Sequence, residues 1–162
     1  MALIAMYSIG MPTGHEPAEA TVGYLVWRLS MKWRAEVDRS VAHLGLTHAQ
    51  YSLLASLHGM SRAGRQPSQR ELANVTGLDP IYVSKLARAL ERAGLVARAE
   101  HPADSRAVQL ALTPHGTRVV DQAVHTVGAL QETLTKPLGG TRGARTREFA
   151  DALRTLLEGD RT

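Results

Sequence analysis

Residues 80–88 read PIYVSKLAR, and this short stretch concentrates groups that can donate hydrogen bonds. Tyr82 and Ser84 carry hydroxyls, Lys85 an ammonium and Arg88 a guanidinium, with Arg88 one helical turn beyond Lys85. Such donors suit base edges and phosphate oxygens. Pro80 and Ile81 lead into them, and Ile81 offers the kind of apolar surface that meets a thymine methyl group. Tyr82 is placed equally well to touch a ligand or to pack on a neighbouring helix. A second site follows at Asp104-Ser105-Arg106. An arginine there suits a narrow minor groove. Asp104 carries the wrong charge for DNA, and its expected work is to hold an arginine or brace the turn. A third group, Arg62, Arg65, Ser68 and Arg70, lies in and just after the basic stretch SRAGRQP and is expected to supply phosphate contacts.

Composition narrows the chemistry. The chain has 162 residues, enough for one domain with a real core. Its net charge is +4, and arginine outnumbers lysine 16 to 3. A basic balance favours a polyanionic partner. There is no cysteine, which excludes disulfides, thiolate metal sites and cysteine-based redox sensing and is compatible with a cytoplasmic location. The seven histidines show no tight ligand cluster, so no metal is expected. No phosphate-binding glycine loop, nucleophile elbow or H-E-x-x-H motif occurs, so we expect neither catalysis nor a cofactor. The opening MALIAMYSIGMPTG lacks a basic n-region, and its apolar run is short and broken. It does not read as a signal peptide, and no window is long enough to span a membrane.

Which elements would hold these groups in place? Residues 21–44 read as a long helix with an apolar stripe at Val22, Val26, Leu29, Trp33, Val37, Val41 and Leu44. Trp27 and Met31 form a second apolar pair on a neighbouring face. Two apolar faces imply two things to touch, the chain's own core and a second subunit. Thr47-His48-Ala49-Gln50 has capping-box form and opens a helix expected to end near Gly59. Ser68-Gln69-Arg70-Glu71 is another capping box, opening a short helix with Leu72 and Val75 inward. After the turn Thr76-Gly77-Leu78, Asp79 and Pro80 read as N-cap and first helical residue of a helix running to Ala93. In it Val83, Leu86, Ala87 and Leu90 face inward. Leu95-Val96 and the alternating run 108–112 read as the strands of a hairpin. Thr113-Pro114 starts another long helix with a stripe at Val120, Ala123, Val127, Leu130 and Leu134. A last helix at 144–157 is expected to bury Phe149, Leu153, Leu156 and Leu157.

Short helix, three-residue turn, helix and hairpin make a helix-turn-helix with a wing. The expected fold is mainly α with a small β-hairpin wing, the winged helix-turn-helix lobe lying between long N- and C-terminal helices. We expect a single domain over 21–162, with the lobe at 46–113 and dimerisation helices at 21–44 and 114–158. Residues 1–20 form an N-terminal arm, either loose or packed on a partner subunit.

Three ordered fragments carry a family resemblance: GLTHAQYSLLASL at 45–57, SQRELANVTGLDPIYVSKLARALERAGLVAR at 68–98, and DSRAVQLALTPHG at 104–116. Together they resemble the MarR (multiple-antibiotic-resistance regulator) family of transcription factors. The last fragment holds that family's wing pattern at Asp104, Arg106, Leu112 and Thr113. The resemblance implies an obligate homodimer on a pseudo-palindromic double-stranded operator, with residues 79–93 as recognition helix and the wing tip at 102–106. It further implies a repressor whose DNA affinity falls when a small aromatic or anionic effector binds between the dimer helices and the DNA lobe. Trp27, Met31, Tyr51 and His58 lie on the helices that border that site in the family. Ile81-Tyr82 departs from the family, whose members often carry small hydroxyl residues there, so the operator sequence does not carry over. The alternative is an architectural or ligand-binding winged-helix protein without operator specificity.

Overall fold

The computed structural model describes residues 20–101 and 104–159, with backbone alone at 101 and 104–106. The chain divides into two compact bodies, one ending at Arg34 and the other beginning at Ala35. The elements in order are α1 (Val22–Val41), a 3-10 turn (Ala42–Leu44), α2 (His48–Arg62), α3 (Gln69–Thr76) and α4 (Pro80–Arg92). Then come β1 (Val96–His101), β2 (Asp104–Leu112), α5 (Pro114–Thr135), a second 3-10 turn (Lys136–Leu138) and α6 (Ala144–Glu158). The N-terminal arm expected over residues 1–20 lies outside the described residues except for Ala20.

In the first body only the start of α1 is described. Val22, Leu25, Val26, Trp27, Leu29 and Met31 are all exposed there. The stripe expected along this helix is fully buried only at Val37 and Val41, which belong to the second body, while Trp33 and Leu44 are half-buried. An apolar period identifies a face that prefers cover, and it does not say whose atoms supply the cover.

The second body holds the core. α2 packs on α3, α4, α5 and β2, and it buries Leu53, Leu54, Leu57 and Met60. Its start is fixed by a complete capping box, with Thr47 Oγ1 accepting from the Gln50 amide and Gln50 Oε1 accepting from the Thr47 amide. It runs through Gly59 to Arg62, one turn beyond the expected end, because Met60 still has core to fill. α3 turns Leu72 and Ala73 inward. Val75 was expected beside Leu72 but is exposed, since the buried arc of so short a helix is centred between Leu72 and Ala73. α6 corrects the expectation most plainly. It has no buried residue, and Phe149, Leu156 and Leu157 face solvent in the single chain. Val124 on α5 is exposed as well.

The wing is an antiparallel pair in which Val96 faces Leu112 and Glu100 faces Val108, with an irregularity between Glu100 and His101. It is longer than its apolar pattern indicates. Among the described residues Ala99 and Glu100 are exposed, and Leu95, Val96 and Leu110 are buried at its base. The segment before α3, expected to be a polar, basic loop, is tied to the wing. Ser68 bridges to Gln109, Leu110 N donates to Pro67 O at 3.1 Å, and Gln109 Nε2 donates to Gln66 O at 3.0 Å.

A latch closes the wing's base onto α5. Thr113 N and Oγ1 donate to the Leu95 and Gly94 carbonyls at 3.1 and 2.7 Å, and Thr113 Oγ1 accepts from Gly116 N. This explains why a glycine follows the Thr-Pro start of α5. A Cβ on Gly116 would sit 1.8 Å from the Leu95 carbonyl oxygen, which is backbone and has no rotamer to escape through. Replacing Gly116 with alanine is therefore expected to destabilise the protein by about 1–3 kcal/mol, the usual cost of overpacking. Urea denaturation followed by circular dichroism measures this, and unchanged stability would refute the latch.

Candidate nucleic-acid interface

α4 is built from two opposed stripes. Val83, Leu86, Ala87 and Leu90 recur at i, i+3, i+4 and i+7, and all four are buried. Ile81, Ser84, Lys85 and Arg88 recur at the same spacing about 200° away round the helix. Ile81, Lys85 and Arg88 are exposed and Ser84 is half-buried. Burying the first stripe against α2, α3 and β1 forces the second one outward. The result is a convex surface carrying a hydroxyl, two cations and one branched alkyl group. Tyr82 flanks it, 41% exposed as a residue, so it is not absorbed into the neighbouring helix packing.

The approach of α3 to α4 depends on two local devices. Gly77 adopts a left-handed φ of 68°, a conformation strained for other residues, and this lets the chain reverse within three residues. Asp79 then caps α4, its Oδ1 accepting from the amides of Ile81 and Tyr82 at 2.9 and 3.0 Å. Pro80 supplies the first helical residue, where no N–H is required.

The basic residues before α3 do not act alike. Arg62 and Arg70 are exposed. Arg65 is engaged, its Nη2 lying 3.0 Å from Glu71 Oε1. Ser68, expected as a phosphate contact, is buried and hydrogen-bonded to Glu71. Its Oγ accepts from Glu71 N at 3.2 Å and donates to Glu71 Oε2 at 3.1 Å, and its own amide donates to the same oxygen at 2.8 Å. The hydroxyl's one hydrogen is spent. The bond from the Ser68 amide, then the Ser68 hydroxyl and Arg65, hold the Glu71 carboxyl below its ordinary range.

The backbone of Asp104, Ser105 and Arg106 belongs to β2. The contacts expected of those side chains, and Pro102 at the wing tip, lie outside the described residues. Arg98 on β1 pairs with Glu91 on α4 at 3.2 Å and so joins wing to helix. Sequence reasoning did not mark this pair, because residues seven apart across a strand start have no fixed relation.

The four residues expected at an effector pocket fall in both bodies. Trp27 and Met31 are exposed on the first part of α1, where Trp27 lies 6.2 Å from the Tyr24 ring. Tyr51 and His58 are half-buried on α2, and desolvation raises the Tyr51 phenol above its ordinary value. His58 Nε2 lies 3.3 Å from Asp121 Oδ1 on α5, a link from α2 to the long C-terminal helix. Asp121 also lines a shallow groove with His43, Leu44, Gln122, His125 and Thr126. Among the described residues no three histidines or carboxylates are arranged to hold a metal ion, and no helix is long and apolar enough to cross a membrane.

Residues 44–107 match the model described as the MarR family. The uncharacterised HTH-type transcriptional regulator YdcH of Bacillus subtilis is 33% identical over 110 residues, covering 68% of this chain and 75% of that one. The HTH-type transcriptional repressor Rv2887 of Mycobacterium tuberculosis is 30% identical over 141 residues, covering 85% and 94%. Among solved structures, the transcriptional repressor CouR of Rhodococcus jostii RHA1, bound to a 23-mer DNA duplex, superposes with a TM-score of 0.68 at 30% identity, covering 85% and 89%. CouR has also been solved with p-coumaroyl-CoA, where the likeness is 24% identity, coverage 88% and 95%, and a TM-score of 0.74.

The Ser68–Glu71 box makes a prediction about acid stability. A carboxyl held below its ordinary range stabilises the fold fully above the unfolded-state value. That contribution is lost as pH falls through the lowered folded-state value. Glu71→Gln keeps an acceptor for the Ser68 amide, as Gln50 does for Thr47, but does not titrate. The variant should lose less stability than wild type between neutral and acid pH, measured by thermal melts across that range. Identical acid limbs would refute the assignment.

Proposed function

The chain belongs to the MarR family of transcriptional regulators, which are not enzymes, and on that footing we propose that it is a homodimeric repressor of nearby genes. It binds a pseudo-palindromic double-stranded operator and is released by a small aromatic or anionic effector. The observation that carries the DNA-binding part is the pair of opposed stripes on α4. A helix whose inner face is fully committed to the core presents one fixed outer face, and that face is cationic and hydrogen-bonding. Its N-terminal turns enter the major groove, with Ile81, Tyr82, Ser84 and Lys85 leading and Arg88 one turn behind. Pro80 sets the entry angle of the helix. Arg62 and Arg70 meet phosphates on one flank. Arg106 reaches the groove beside the helix from the wing, with Asp104 and Ser105 shaping its turn.

The dimer follows from the exposed apolar faces. Val22, Leu25, Val26, Trp27, Leu29 and Met31 of α1 are exposed apolar side chains of the kind an interface covers, and so, separately, are Phe149, Leu156 and Leu157 of α6. A second copy covers them by an isologous contact. Two copies of α4 then sit about 34–36 Å apart, the spacing of successive major grooves on one side of the duplex. The dimer carries twice the net charge of +4, which strengthens attraction to the phosphates.

Release needs only an effector that binds the DNA-incompetent arrangement better than the competent one. That CouR is known with both DNA and p-coumaroyl-CoA supports this reading. Tyr51 and His58, both half-buried on α2, are the residues we assign to the effector. An organic anion there would bias how α2 meets α5, where His58 and Asp121 touch.

Fluorescence-anisotropy titration on DNA next to the protein's own gene, against a scrambled duplex, tests the proposal. Selective binding is expected, weakened by about 1–3 kcal/mol in Arg88→Ala if the guanidinium reads a base. Arg62→Ala should weaken both duplexes alike and flatten the salt dependence. Binding that is equal on both duplexes and insensitive to Arg88→Ala would favour an architectural protein instead.

A further inference from the structure

The N-terminal tip of α4 is built in a way that suits base edges and not phosphates. The amides of Ile81 and Tyr82, which could otherwise hold an anion, both donate to Asp79 Oδ1. The capping carboxylate is exposed and would repel a phosphate brought to the tip. What the tip offers instead is a side chain. Ile81 is 69% exposed and is the sole large apolar member of the outer stripe, standing one turn ahead of Ser84 and Lys85. Leaving a branched alkyl group in water at the leading edge of a cationic face gains nothing for the isolated chain.

Lys85 and Arg88 on the same stripe fix the partner as a polyanion, so the group that covers Ile81 must be an apolar patch within one. In the major groove of duplex DNA the C5-methyl of thymine is that patch, and no other base carries it. Resting on the DNA-binding reading above, we infer that Ile81 is a specificity-determining residue and that each operator half-site places a thymine methyl against it. Discrimination at that base pair depends on the methyl group and not on a hydrogen bond. A small hydroxyl residue in the place of Ile81 would read the same position by hydrogen bonding.

The test uses the full-length protein and a duplex selected by it from random sequence. Each thymine is replaced in turn, symmetrically in both half-sites, by deoxyuridine, which removes the methyl and keeps the pairing. One symmetric pair of replacements is expected to lower affinity markedly, by about fourfold for each methyl covered. The remaining replacements should change it little. Ile81→Ser, which suits an exposed first turn, should lose this dependence on the methyl, and Ile81→Val should keep it. Selective binding that no uracil replacement weakens would overturn the inference alone, as would an Ile81→Ser protein that still distinguishes thymine from uracil. Failure to select any duplex would overturn the DNA-binding reading and the inference with it.

Discussion

Burial of Val83, Leu86, Ala87 and Leu90 is the constraint on which the rest of this structure depends. Each of these side chains gains by leaving water, of order 1.5–3 kcal/mol for the larger ones. That gain is available in only one rotational setting of α4. Rotating the helix by one residue would expose leucine and drive Lys85 or Arg88 toward the core, where an unpaired charge is prohibitive. The orientation of the outer stripe is thus fixed by the inner one. The outward setting of the cationic face is thus obtained from packing before any contact it makes.

Around that seam the remaining devices set position. Gly77 and Asp79 fix where α4 begins, and the Ser68–Glu71 box fixes α3 before it. Gln66, Pro67 and Ser68 lie along β2, so the start of α3 is hydrogen-bonded to the wing. Thr113 and Gly116 bind the wing's base to α5. Hydrogen bonds through Thr113 thus join α5 to the wing's base, and the His58–Asp121 pair joins α5 to α2. For a regulator this is the useful arrangement. An effector need not touch DNA-contacting residues if it shifts the helices on which they are mounted.

Much of this was legible in the sequence because it is local. Capping boxes, an N-cap followed by proline, and a glycine after a short helix are written in residues three or four apart. The inner stripe of α4 follows from period alone. What stayed hidden depends on distant atoms. Gly116 reads as an ordinary glycine until the Leu95 carbonyl is placed against it. Arg65 and Ser68 look like free surface donors until Glu71 occupies them. The stripes on α1 and α6 were correctly seen as apolar, but a period cannot distinguish a face covered by its own chain from one left for another. Val75 shows the same limit on a smaller scale, since eight residues leave the centre of a buried arc poorly determined.

The central claim is that two copies of the outer face of α4 sit in successive major grooves. Dimethyl sulfate protection on the selected duplex tests it directly, because the reagent reports on guanine N7 in the major groove. The account predicts two protected patches centred about 10 base pairs apart, both lost in Lys85→Ala/Arg88→Ala protein. Protection confined to one patch, or absent from the major groove while the protein is bound, would contradict it.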